Sequence, residues 1–107
     1  MVADAQDKVK EYLVKCHLAG GEVMVACCDS RLLGMTLKDG ELEVHVSERF
    51  YGGEKVSEEM MLKTISESTV ANIMGDDAVE AALRCGAVDE SGVREVCKVK
   101  HAQIYRV

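Results

Sequence analysis

"ELEVHVSERFYGGEKVSEEMM", Glu41 to Met61, changes its hydrophobic period halfway along. In its first part Leu42, Val44 and Val46 alternate with Glu41, Glu43, His45 and Ser47, the period of a strand with one buried and one wet face. In its last part Met61 begins a helical face that continues through Leu62 and Ile65. Ser57 is placed to cap that helix, and Glu58 and Glu59 suit the positive end of its dipole. Between the two lies Arg49-Phe50-Tyr51-Gly52-Gly53, with two of the four aromatic residues of the chain and two adjacent glycines. A strand that turns through such a corner into a helix makes the chain a mixture of α and β.

Working outward adds more strands. Upstream, "EYLVKCHLA" reads as a strand, and Gly20-Gly21 joins it in a hairpin to "EVMVACC", an apolar run fit to be buried on both faces. Asp29 or Ser30 can cap a short turn ended by Gly34, and Asp39-Gly40 marks another turn. Downstream, the helix is expected to continue or kink through "TVANIMG" as far as Gly75. Asp76 or Asp77 then caps a second helix with Val79, Ala82 and Leu83 inward and Gly86 as its stop. "VREVCKVKHAQIYRV" is β-rich with one slip in its alternation, which predicts a bulge near Lys98–Lys100. The order β-β-β-α-α-β predicts an α+β fold: a small, mostly antiparallel β-sheet with two or three helices packed on one face. Residues 1–8 are expected to fray and residues 9–107 to form a single domain.

Composition narrows the functional classes. The 48% hydrophobic content supports a core, and with four aromatic residues that core must be aliphatic. A net charge of −6 argues against a broad basic face and against DNA as a partner. A local basic spot from Lys8, Lys10, Lys15, Lys98, Lys100 and Arg106 requires the two chain ends to pair. No apolar run is long enough to span a bilayer, and the start of the chain lacks the apolar segment of a signal peptide. Five cysteines without a CxxC then suggest reduced thiols and a cytoplasmic protein.

"VACCDSRLLGMTL", "ELEVHVSERFYGGE", "TVANIMGDDAVEAAL" and "KHAQIYRV" occur in this order, and together they resemble an archaeal family catalogued as domain of unknown function 424. The resemblance covers nearly the whole chain from about residue 10. It implies an archaeal cytosolic protein, brings no catalytic residues with it, and suggests an association with RNA or translation.

Candidate site residues come from three places. In the corner, Arg49, Tyr51, Gly52 and Gly53 can bind by stacking and by close backbone approach; equally, Phe50 can plug the core while a glycine takes positive φ. On the last strand, His101, Gln103 and Tyr105 share one face and can form a hydrogen-bonding set. Asn72 is a polar amide within an apolar stretch. Cys16, His17, Cys27, Cys28, Cys97 and His101 are soft ligands, but small buried hydrophobes account for the cysteines, and neither a metal nor a cofactor is expected. The readings are a non-catalytic binding module with a protein or ribonucleoprotein partner, or a small-molecule or metal-dependent enzyme using His101 with Asp29 or a cysteine. Unpaired sheet edges can also join chains into a homo-oligomer.

Overall fold

Gly20 and Gly21, at φ 58° and 81°, close a two-residue turn between β1 (Tyr12–Ala19) and β2 (Glu22–Asp29), as their sequence predicts. The structure is a computed structural model and describes residues 10–105. The expected frayed segment 1–8 and the basic residues Lys8 and Arg106 lie outside the described residues. A three-residue turn, Ser30–Leu32, leads to a separate hairpin of β3 (Thr36–Asp39) and β4 (Leu42–His45). Then follow α1 (Glu48–Tyr51), β5 (Glu54–Val56), α2 (Glu58–Ser66), β6 (Val70–Met74), α3 (Asp76–Arg84), β7 (Val93–Val96) and β8 (Val99–Tyr105).

The main sheet has six strands in the order β5-β1-β2-β6-β8-β7. Only β2 and β6 run parallel, so the sheet is mixed but mostly antiparallel, and the fold is α+β. Burial separates the two faces. Tyr12, Val14, Val25, Cys27, Ala71, Ile73, Ala102 and Ile104 pack beneath α2 and α3, with Met61, Ile65, Ala78, Val79 and Ala82 from the helices. Leu13, Ala26, Cys28 and Met74 point to the other face, where Leu32, Leu37, Val46 and Tyr51 cover them.

Two parts differ from the sequence reading. "TVANIMG" is strand β6 and not a helix: α2 ends at Ser66, and Thr69 Oγ1 both accepts from Val23 N (3.1 Å) and donates to Val23 O (2.9 Å), fixing the entry of β6 beside β2. The slip in the last segment is a third hairpin turn and not a bulge, with Cys97 and Lys98 at φ 51° and 68° between β7 and β8. Among the described residues the basic spot does not gather either, because β1 and β8 are separated by β2 and β6. Lys15 reaches Arg49 O at 2.7 Å, whereas Lys100 pairs with Glu80 at 2.7 Å beside α3.

Asp29 has a role that its place at the end of β2 does not suggest. It starts the turn at Ser30 without a side-chain bond there. Its carboxylate instead accepts from Asp77 N (3.1 Å) and Ala78 N (2.8 Å), capping α3 from across 48 residues. Gly75, at φ 122°, allows this approach; a Cβ there would lie 2.6 and 2.8 Å from the Asp29 carboxylate oxygens. The fold therefore uses a tertiary cap where the helix supplies none of its own.

Candidate functional site

The corner after β4 is a single helical turn lying across β1. Ser47 caps α1 by accepting from Phe50 N at 3.2 Å. The carbonyls at its end are met from β1: Lys15 Nζ donates to Arg49 O, and His17 Nε2 donates to Phe50 O at 2.9 Å. The His17 and Phe50 rings stack at 5.0 Å, and Phe50 meets the Tyr51 ring edge-on at 4.8 Å. Phe50 is thus half-buried, stacked on His17 and packed at the margin of the second core, and Tyr51 is the buried member of the pair.

Both glycines serve this packing. A Cβ on Gly53 would run into Val14 O, with Val14 C at 2.7 Å and Lys15 Cα at 2.8 Å. A Cβ on Gly52 would run into Glu48 O. Neither glycine takes a positive φ. Arg49 is exposed, and its described contact is the carbonyl held by Lys15.

From this turn the Tyr51 hydroxyl donates to Asn72 Oδ1 at 2.5 Å, and His101 Nε2 lies 3.1 Å from the same oxygen. Register explains the meeting. Ala26 of β2 sits beside Asn72 of β6, and this small, fully buried residue leaves room for Tyr51 to pass above it. Across β6 and β8, Met74 pairs with His101, Asn72 with Gln103, and Val70 with Tyr105. Asn72, His101, Gln103 and Tyr105 therefore lie on one face, with Tyr51 at its edge.

The electrostatics assign the protons. Burial, aided by the nearby thiols of Cys28 and Cys27, pushes the Tyr51 phenol up to about 12, so it stays protonated and donates. A carbonyl oxygen only accepts, so His101 Nε2 carries a proton as well and its Nδ1 remains bare. Burial first, and then the charge of Arg94, hold the His101 imidazole below its ordinary value, keeping it neutral at neutral pH. Beyond His101 the face is open: Gln103 is exposed and Tyr105 is 68% exposed. A cleft of about 180 Å³ adjoins it, lined by Ser91, Gly92, Val93, Arg94, His101 and Gln103.

Asp29 and His101 do not form a couple. Asp29 faces α3, and His101 faces the opposite side of the sheet. The cysteines give His101 no thiol partner: Cys27 and Cys28 point to opposite faces, and burial pushes both thiols up to about 12. Cys97 directs its Sγ to Leu42 O at 3.8 Å. Arg94 was not legible as a member of the site. It faces His101 only through the β7–β8 register, and the hairpin that sets this register has no glycine at its turn.

Comparison with known proteins agrees with this architecture. The chain is similar to an uncharacterized conserved protein from Methanopyrus kandleri of known crystal structure, with a TM-score of 0.76 and 27% identity, over 91% of this chain and 92% of that one. No curated protein matches it. The sequence model of the family described as "Protein of unknown function (DUF424)" matches residues 17–107, and the chain belongs to that family.

Proposed function

We propose that this protein is a non-catalytic binding module that takes its partner on the open half of the sheet face. The observation that carries this reading is the convergence of Tyr51 and His101 on Asn72 Oδ1, next to the uncovered side chains of Gln103 and Tyr105. The enzyme reading pairs His101 with Asp29 or a cysteine, whereas the hydrogen bond that His101 makes among the described residues is to the Asn72 amide. The tyrosine–amide–imidazole chain instead fixes the edge of a surface, so that recognition costs little ordering. An exposed tyrosine with hydrogen-bonding neighbours is the composition of a contact surface for a protein or ribonucleoprotein. Arg49 is exposed on α1, the turn that carries Tyr51.

A photo-crosslinking residue in place of Tyr105 tests this reading. p-Benzoylphenylalanine at position 105 is expected to crosslink a discrete partner in native extract. The same residue in place of Glu59, exposed on α2 beyond the opposite face, is expected not to. Identical crosslinks from both positions, or none from position 105, would sink the proposal.

A further inference from the structure

The cleft beside His101 differs from the rest of the surface. The chain has a net charge of −6, yet no carboxylate lines this cleft and its one cation is Arg94. Among the described residues Arg94 forms no ion pair, although seven such pairs occupy other charged side chains. The acids close to it in sequence are turned away or engaged: Glu95 pairs in register with Lys100 on the opposite face of the sheet, Glu90 lies beside Lys100, and Asp89 Oδ1 accepts from both the Ser91 backbone N–H (3.0 Å) and the Ser91 hydroxyl (2.5 Å). Arg94 and His101 are direct cross-strand partners, a placement in which two side chains on one face reach the same small group. The cleft thus offers a free guanidinium fork, the Gln103 amide and the bare Nδ1 of a histidine whose other nitrogen is tied to Asn72.

We infer that this cleft binds a phosphoryl group, as inorganic phosphate or at the end of a phosphate monoester. Arg94 supplies the charge-assisted hydrogen bonds, and His101 Nδ1 accepts from the P–OH of the monoanion. The inference deepens the reading of this face as a binding surface and rests on it. The donor set selects among anions. A guanidinium fork suits phosphate, sulfate and carboxylate alike. A bare Nδ1 distinguishes them, because near neutral pH a phosphate monoester still carries a proton to donate, whereas sulfate and carboxylate do not. Their oxygens would face the imidazole lone pair.

NMR of the His101 ring at about pH 6.5, near the second phosphate ionisation, tests this directly. The probes are inorganic phosphate, glycerol 3-phosphate, sulfate and glycerol, at constant ionic strength. Both phosphates are expected to shift the His101 resonances saturably, with sulfate about tenfold weaker and glycerol without effect. Arg94→Ala, at an exposed position, is expected to weaken phosphate binding about tenfold while the spectrum stays that of a folded chain. Should that variant unfold, Arg94→Gln takes its place. No His101 response to either phosphate would overturn the inference. So would sulfate binding as tightly as phosphate, or an undiminished response without Arg94. A position-105 crosslink that persists without any phosphate response would remove the phosphoryl group and leave the wider binding surface standing.

Discussion

Asp29→Ala is expected to lower the unfolding free energy by about 2–4 kcal/mol in urea denaturation. The substitution leaves Asp77 N without its acceptor and strands the buried Ala78 N at the start of α3. Gly75, the residue before the helix, has no side chain to replace it. The ion pair with Arg31, at 3.4 Å and largely exposed on the arginine side, adds little. Asp29→Asn keeps one carbonyl oxygen and should recover about half of the loss. Charge matters less than acceptor geometry here, because burial raises the Asp29 pKa in spite of its two backbone bonds. A folded pKa above the unfolded 3.8 means that this group's contribution is full below 3.8 and declines as pH rises through the folded value. The gap between wild type and Asp29→Asn, which does not titrate, should therefore widen as pH falls towards 3.8. A loss below about 0.5 kcal/mol for Asp29→Ala would refute the tertiary cap.

Gly53→Ala is expected to cost about 3 kcal/mol and to loosen the β5 edge first. The added methyl meets only backbone, the Val14 carbonyl and Lys15 Cα of β1, so no side chain can swing aside to admit it. The β1–β5 pairing of Tyr12 with Val56, Leu13 with Lys55 and Val14 with Glu54 must part. Hydrogen exchange should show faster exchange at Glu54–Val56 than in β2 or β6. Wild-type protection at that edge would contradict the close approach.

Local signals in the sequence carried much of the fold. Gly20-Gly21, Ser57 and Gly86 act where their chemistry predicts, and the alternation of His101, Gln103 and Tyr105 is that of a strand face. What was hidden depends on partners distant in sequence. β6 is buried between β2 and β8, so it shows no alternation, and its Ala, Asn and Met are as compatible with a helix as with a strand. The β7–β8 turn carries positive φ on Cys97 and Lys98, residue types that do not signal such a turn. The Asp29 cap joins elements 48 residues apart.

The candidate site was legible in the same proportion. Asn72 stands out as an amide in an apolar run even though the run's local pattern fits a helix and the element is strand β6. Tyr51 was singled out with the corner, but its hydroxyl bond to Asn72 arises only after β6 takes its place beside β2. Gly52 and Gly53 drew attention as places for a ligand to approach; the approach they permit is that of the chain's own backbone. Arg94 joins through register alone.

The convergence of Tyr51 and His101 on one amide oxygen underlies both proposals, and long-range proton–nitrogen NMR of the His101 ring tests it most directly. At neutral pH the ring should be neutral, protonated at Nε2 and bare at Nδ1, and Tyr51→Phe should shift the Nε2 resonance by removing the second donor to Asn72 Oδ1. A ring protonated at Nδ1, or a His101 spectrum unchanged in Tyr51→Phe, would contradict it.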